Sequence, residues 1–362
     1  MHIRRVLGVG TTAVMLALLA MACGQTGPAK AADASAPPAA KPDRQIRGFS
    51  MQLTDPNGTD GYIKAIDDIA ALGCTAINFA FAAKQDQIHS ETLAINWKKI
   101  PSQRDLETIL KHAKAKGIYT IVMPMVLLNN SGPKEWRGVI DPPDWDIWFD
   151  SYRQYVTQVA KIAARCDVDL MCVGSELLST EPKKDQWVQT IAAVRADFKG
   201  KLTYSANWDH YDPDTSKGSL GGPTFWSQLD YIGMNNYNEL VDHPGASVEE
   251  ITKKWTPIKT KVLDFAKKEG KPFFFTEVGW HNLKNTLKEP WNYVAEGEID
   301  LNEQLHAYQA FVEAWKDTPN TQFMGALVWE WTPGGNGKTD HGTYTLQNTP
   351  AMDVVKKWMM ER

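Results

Sequence analysis

The sequence has few of the residues that build metal sites and disulfide frameworks. Only four of its 362 residues are cysteine, and the three after position 23, Cys74, Cys166 and Cys172, lie on separate apolar segments. An odd number at this spacing fits neither a disulfide framework nor a paired zinc site, so we interpret the three as small buried residues. The eight histidines are scattered, and residues 47–51 lack the His-x-His pattern of metal-dependent hydrolases. The sequence therefore predicts no metal and no cofactor.

An excess of positive charge is also absent. Lys and Arg total 39 against 43 Asp and Glu, which gives a net charge of −4. Proteins that bind nucleic acid neutralise phosphates with clustered positive charge, so this balance argues against a nucleic-acid partner. Residues 13–21 form a wholly apolar run, which is shorter than the roughly 20 residues that a membrane-spanning helix needs.

The first 22 residues are typical of an export signal. Arg4 and Arg5 precede the apolar run, and small residues surround a cleavage position before Cys23. The segment 19–24 resembles the lipobox of bacterial lipoproteins, with its leucine one place early, which implies a membrane-anchored lipoprotein, periplasmic or on the cell surface, attached through a lipidated Cys23. The alternative is plain cleavage, here or at residues 29–31, and secretion. Residues 23–45 are rich in Ala and Pro and predict a tether, so the folded domain is expected to span residues 46–362.

The composition of that domain predicts a large core. Hydrophobic residues make up 43% of the chain and charged residues 23%, which excludes a disordered protein. The 14 tryptophans are the unusual feature. Most tryptophans lie in protein cores, but their rings also stack on the apolar faces of sugars.

Short apolar runs alternate with longer helical patterns along the domain. Repeated strand, helix, strand order favours parallel strands with helical crossovers, and eight strands in a chain of this length predict an α/β fold, a single (β/α)8 TIM barrel. A doubly wound open sheet is the alternative, but no Gly-rich phosphate loop follows the first predicted strand. The predicted strands are residues 47–51, 76–81, 119–123, 169–173, 202–207, 231–235, 272–276 and 324–329, and the predicted helices are 62–72, 102–116, 145–164, 185–198, 247–268 and 302–315.

Polar residues at the strand ends predict the site, because the chemistry of these barrels collects at the carboxyl ends of the strands. Glu176 follows the fourth predicted strand and Glu277 follows the seventh. Cleaving a glycosidic bond with retention requires one carboxylic acid and one carboxylate, about 5 to 5.5 Å apart and in different environments. Tyr237, after the sixth predicted strand, could hold Glu277 ionised through a hydrogen bond; packing is the alternative role.

Several segments together resemble a known family. The segments "VGSELLST", "LTYSANWDHY", "DYIGMNNY" and "FFFTEVGW" resemble clan A of the glycoside hydrolases, and family 113 in particular, from about residue 47 to the end of the chain. The resemblance implies that Glu176 is the acid/base, that Glu277 is the nucleophile, and that β-1,4-mannan is the first substrate to test. It also implies a polysaccharide or oligosaccharide substrate, and we expect the protein to be a monomer. The residues expected to line the sugar site are Asn207, Trp208, Asn235, Trp280, Trp329 and Trp331, and Trp136 is expected at its edge.

The sequence departs from the clan at one position. Most of the clan has Asn before the acid/base, where it contacts the sugar 2-hydroxyl, whereas this chain has Ser175. Family 113 is similar to this sequence in lacking that Asn, and Asn207 is the candidate replacement. Residues 334–348 look like a loop beside the substrate or a solvated surface loop. The alternatives for function are an enzyme for another envelope or plant glycan, and a non-catalytic carbohydrate-binding lipoprotein on the same barrel.

Overall fold

Eight parallel strands close into a barrel in the described part of the chain. The structure, a computed structural model, describes residues 45–214 and 222–361. All eight predicted strands are present, and β1 pairs with both β9 and β2, which closes the sheet. A short strand, β3, extends β2 as an antiparallel hairpin. The barrel strands are β1 (Ile46–Gln52), β2 (Ala76–Gln85), β4 (Tyr119–Leu128), β5 (Leu170–Ser175), β6 (Lys201–Ala206), β7 (Ile232–Asn236), β8 (Phe273–Val278) and β9 (Phe323–Val328), and β3 is Leu93–Ile95.

The helices pack outside the barrel, and their ends match the sequence signals. Ser102 and Ser247 each accept a hydrogen bond from the backbone N–H three residues on, as N-cap residues do. Gly270 ends the longest helix with a φ of +66°, a conformation that favours glycine. The helix α7 was not among the predicted helices. The helices are α1 (Thr59–Ala71), α2 (Gln103–Ala115), α3 (Trp145–Arg165), α4 (Lys184–Asp197), α5 (Val248–Glu269), α6 (Leu301–Trp315) and α7 (Pro350–Met360).

The barrel interior is apolar towards the amino ends of the strands and polar towards their carboxyl ends. One buried cluster inside the barrel includes Ile121, Leu170 and Phe274. Towards the carboxyl ends of the strands the small polar side chains pair instead: the hydroxyl groups of Ser205 and Thr276 lie 2.6 Å apart. This polar layer lies directly below the strand ends that carry the candidate site. No helix in residues 45–214 and 222–361 has the length and apolar character needed to cross a membrane.

Candidate active site

Glu176 directly follows β5, the fourth strand of the barrel, and is 8% exposed. Its Oε1 accepts a hydrogen bond from the side-chain amide of Asn235, and its Oε2 forms an ion pair with Nη2 of Arg137 at 2.5 Å. Both carboxylate oxygens therefore have a polar partner. The Glu176 side chain is consequently held in one position at the mouth of the barrel.

Glu277 lies within β8, the seventh strand, and is 3% exposed. The hydrogen bond that the sequence predicts from Tyr237 is present, since the Tyr237 hydroxyl donates to Oε2 of Glu277 at 2.9 Å. Oε1 has no hydrogen-bond partner among the described residues. One oxygen is thus oriented by a neutral donor, while the other is buried without a protein partner among the described residues.

The carboxyl groups of Glu176 and Glu277 influence each other's ionisation. Asn235 contacts Glu176 and is also the cross-strand partner of Glu277 in the β7–β8 ladder. Burial raises the pKa of Glu277 to about 8, and the charge of Glu176 acts in the same direction. Burial also raises the pKa of Glu176, which the guanidinium of Arg137 opposes. Since two neighbouring like charges resist double ionisation, the carboxyls titrate as a coupled pair that holds one proton over part of the pH range.

Arg137 is a site residue that the sequence analysis did not find. It begins a 3₁₀ turn, Arg137–Val139, well beyond the end of β4. Its guanidinium opposes the rise in the pKa of both glutamates that burial causes, and its Nε is buried without a partner in the described part of the structure. An arginine in a connecting loop has no periodic signal, so only the tertiary contact with Glu176 reveals it.

The two amides predicted for the sugar site have different surroundings. Asn235 uses both ends of its side chain, because Nδ2 binds Glu176 and Oδ1 accepts from the backbone N–H of Trp208 at 3.0 Å. Asn207 is 5% exposed, and its Oδ1 has no partner among the residues that the structure describes. Both polar ends of the Asn235 side chain therefore bond to protein groups, whereas the buried oxygen of Asn207 has no protein partner among the described residues.

The predicted tryptophans divide into two groups. Trp208 and Trp329 are partly exposed; Trp208 packs edge-on against Tyr237, and Trp329 covers the upper end of the barrel interior. Trp136, beside Arg137, is also partly exposed. Trp280, which was expected to line the sugar site, is 1% exposed and packs against Trp255 and Tyr308 in the core.

Trp331 is also buried, at 7% exposed, with its ring edge-on to Phe49. The side chain of a residue two or three positions past a strand end can point into the core instead of the cleft. Strand position alone does not predict which direction it takes. Neither Trp280 nor Trp331 offers a ring face to a sugar in this arrangement.

Two further groups near the site lie close to the end of the chain. Glu330 follows Trp329, accepts a hydrogen bond from Gln52 at 2.8 Å, and has a pKa that burial raises. Tyr344 lies in the segment 334–348 and contacts the ring of Tyr237, with the ring centres 6.3 Å apart. At least this residue of the segment therefore lies beside the candidate site.

The site combines two buried carboxyls at the carboxyl ends of the fourth and seventh barrel strands, and each has its own polar partners. Burial raises the pKa of both glutamates, and the hydrogen bond from Tyr237 orients Glu277. No group of three or more His, Cys, Asp and Glu residues in the described ranges is placed to hold a metal ion. A barrel of this kind with acids at the ends of its fourth and seventh strands defines a clan A glycoside hydrolase.

The chain belongs to glycoside hydrolase family 113, whose family model matches residues 58–343. Solved structures support the assignment. The chain is 26% identical to a family 113 β-mannanase from Alicyclobacillus acidocaldarius, solved in complex with ManMIm; the match covers 87% of this chain and 97% of that chain, with a TM-score of 0.73. A family 113 β-1,4-mannanase is also 26% identical, over 88% of this chain and all of that one, with a TM-score of 0.76. No curated protein sequence matches the chain.

Proposed function

We propose that this glycoside hydrolase cleaves β-1,4-linked mannan with retention of anomeric configuration. The observation that carries the proposal is the pair of buried glutamates with unlike partners, Arg137 and Asn235 on Glu176 and Tyr237 on Glu277. Retaining enzymes need two such carboxyls in distinct roles. The choice of mannan rests on the family 113 neighbours, which are described as β-mannanases.

In the first step Glu277 attacks the anomeric carbon while protonated Glu176 donates its proton to the leaving oxygen. The bond between the anomeric carbon and that oxygen breaks, and an α-linked glycosyl ester forms on Glu277. The hydrogen bond from Tyr237 directs Glu277, and together with the charge of Arg137 it favours the ionised form of Glu277 against the effect of burial. Arg137 stabilises the negative charge that remains on Glu176 after the proton has left.

In the second step Glu176 acts as the base. Its carboxylate takes a proton from a water molecule, the resulting hydroxide attacks the anomeric carbon, and the ester bond to Glu277 breaks. The product has the β configuration, and both carboxyls return to their starting protonation states. The tyrosine remains protonated throughout, because burial and the charge of Glu277 raise the pKa of Tyr237 well above its usual value.

A screen of soluble β-glycans tests the substrate. We expect new reducing ends from β-1,4-mannan, with product sizes that report endo or exo action. Cleavage of a glucan or galactan but not of mannan would show that the substrate is another glycan. No cleavage of any β-glycan would favour a protein that only binds carbohydrate.

Azide rescue tests the two roles separately. We expect Glu176→Ala to lose mannan cleavage but to keep attack on an activated aryl β-mannoside, and azide should then yield a β-mannosyl azide. Glu277→Ala should lose activity on both substrates, and any azide product should be the α-anomer. Glu313→Ala is the matched control, because Glu313 lies exposed on α6 and pairs with Lys316. Reversed anomers would mean that the two roles are exchanged.

We also propose that the protein is exported and held at the membrane by a lipid on Cys23. The support comes from the sequence alone, because residues 1–44 lie outside the described residues. A tether of about 20 residues would let the domain reach soluble or surface-bound glycan chains. Secretion after plain cleavage is the alternative.

A further inference from the structure

The backbone at Glu176 has an uncommon conformation for a residue with a side chain. Its φ is +54°, in the left-handed region. A non-glycine residue in this region persists only when the surrounding contacts determine it, and such residues cluster at active sites. The N–H of Glu176 donates to the carbonyl of Ser205 at 2.9 Å, which holds one side of this residue.

The other side is held by a hydrogen bond from the next residue. The N–H of Leu177 donates to the hydroxyl of Tyr204 at 2.8 Å, and both residues are buried. Tyr204 lies in β6 and packs against Trp187 and Phe225 in the helix layer outside the barrel. It therefore supports Glu176 from behind the barrel wall and not from within the cleft.

A second buried carboxyl orients that hydroxyl. Tyr204 donates to Oε1 of Glu181 at 2.8 Å. Because a phenol has one proton, donating it to Glu181 turns the oxygen lone pairs towards the N–H of Leu177. Glu181 is fully buried, and its Oε2 has no hydrogen-bond partner among the described residues.

Glu181 is costly to bury, which argues that it has a role. Burial raises its pKa well above the usual value, and the charge of Glu176 acts in the same direction. Its backbone is fixed, since the Thr224 hydroxyl donates to its carbonyl at 2.9 Å. A buried acid with one hydrogen bond contributes little to stability compared with an apolar residue of similar volume.

We propose that Tyr204 and Glu181 are positioning residues that fix the backbone at Glu176 and Leu177, so that the acid/base carboxyl is aimed at the leaving oxygen. The inference rests on the proposed function, in which Glu176 protonates the leaving group. Proton donation matters in proportion to how poor the leaving group is. A misplaced acid should therefore slow the cleavage of mannan much more than that of an activated glycoside.

The test compares two substrates. We would measure kcat/KM, which reports the first chemical step, for a manno-oligosaccharide and for a dinitrophenyl β-mannobioside. The variants are Tyr204→Phe, Glu181→Ala and Glu181→Gln, since the amide oxygen of Gln can still accept the bond from Tyr204. Tyr155→Phe is the control: it also removes a buried hydroxyl, one that donates to the carbonyls of Phe81 and Met125 on other strands.

We expect Tyr204→Phe to lower kcat/KM for the oligosaccharide by about 10- to 100-fold, a part of the usual contribution of general acid catalysis. The activated substrate should lose less than about threefold under the same principle. Glu181→Ala should also lower kcat/KM for the oligosaccharide more than kcat/KM for the activated substrate. Glu181→Gln should keep the ratio of these two values near that of the natural protein. Tyr155→Phe should leave the ratio unchanged even if it lowers the melting temperature.

Equal losses on both substrates, or no loss on either, would overturn the proposal. Amide hydrogen exchange tests the same contact without a substrate, and we expect the Leu177 amide to exchange at least about tenfold faster in Tyr204→Phe because its partner is removed. Unchanged exchange at Leu177 would also overturn it. If the natural protein cleaves no β-glycan, the proposed function fails, whereas the exchange result still decides whether Tyr204 holds this backbone.

Discussion

Glu176 and Glu277 have the same side chain, and their different neighbours give them different chemistry. A cation and an amide contact Glu176, whereas a tyrosine hydroxyl contacts Glu277. Tyr237 directs the attacking carboxylate without adding charge. Arg137 stabilises the ionised form of Glu176, which helps the acid to release its proton but weakens it as a base.

Replacing Arg137 by Met should move the whole pH profile of kcat/KM to higher pH. Burial raises the pKa of both glutamates, and the guanidinium lowers both. Removing the cation therefore raises both values, so the acidic and the alkaline limbs shift in the same direction, by about one pH unit. The measurement is kcat/KM on a manno-oligosaccharide across the pH range.

Arg137→Lys is the matched control because it keeps the positive charge. We expect its two limbs to remain near those of the natural protein, although kcat can fall because the ammonium group lacks the planar fork of arginine. A profile for Arg137→Met that coincides with the natural one would show that the ion pair does not act on catalysis.

At the scale of elements, closure of the barrel depends on close contact between the first strand and its neighbours. Gly48 in β1 faces Ala76 in β2, and a Cβ at position 48 would lie 1.7 Å from the Ala76 carbonyl oxygen. On the other side, Gly325 in β9 has a φ of +126° and faces Ile46. These glycines allow the backbones to approach where the sheet closes.

Gly48→Ala should destabilise the fold by about 3 kcal/mol or more, because the added methyl group overlaps backbone that cannot move without breaking the ladder. Denaturant unfolding followed by tryptophan fluorescence would measure the change. Gly297→Ala is the control, since a Cβ there meets no atom within 4 Å. Equal stability of the two variants would contradict this account of closure.

The start of β7 depends on an ion pair whose contribution varies with pH. Asp230 accepts hydrogen bonds from Nη2 of Arg195 at 2.5 Å and from the N–H of Leu202 at 2.8 Å. Burial acts to raise the pKa of Asp230, but these bonds outweigh it and the pKa is lowered. A lowered pKa in the folded state adds stability above the unfolded value and loses it as the pH falls.

Asp230→Asn should therefore lower the free energy of unfolding by about 1 to 2 kcal/mol near pH 7. The difference from the natural protein should shrink below about pH 4, where the aspartate of the unfolded chain takes up its proton. Unfolding curves at several pH values would measure it. Asp167→Asn is the control, because the Asp167 side chain is 98% exposed; a deficit for Asp230→Asn that does not change with pH would contradict the charge argument.

At the scale of the whole molecule, the chain is expected to divide into an export signal, a tether and a catalytic domain. The domain is the part that the fold explains, since the barrel strands and the helices α1–α7 lie between Ile46 and Met360. The segments before it carry no catalytic residue in the proposed mechanism. Their proposed role is to decide where the enzyme meets its substrate.

Cys23→Ser should move the protein from the membrane fraction to the soluble fraction. A lipid on Cys23 provides the apolar surface that binds the bilayer, and serine cannot form the same thioether. Fractionation, together with the mass of the mature N-terminal peptide, checks the result. Ser35→Ala in the tether is the control and should remain with the membrane; a natural protein found wholly in the medium would contradict lipidation.

The sequence by itself determined the barrel and the two carboxyls. Alternation of apolar runs with helical patterns is a local property, and the ends of parallel strands share one edge, so Glu176 and Glu277 could be placed together without coordinates. Tyr237 was placed beside them by the same reasoning, because it follows the sixth strand. Strand position made a hydrogen bond from Tyr237 to Glu277 possible, and the structure decided between that bond and a packing role.

Only the tertiary structure decided which groups surround those carboxyls. Arg137 reaches Glu176 from a loop, and Glu181 acts through Tyr204 on another strand, so no periodicity links either of them to the site. Trp280 was expected in the cleft, but it turns into the core against α5 and α6. Strand position sets which end of the barrel a residue occupies, whereas the direction of its side chain beyond the strand end depends on packing between elements that are distant in sequence.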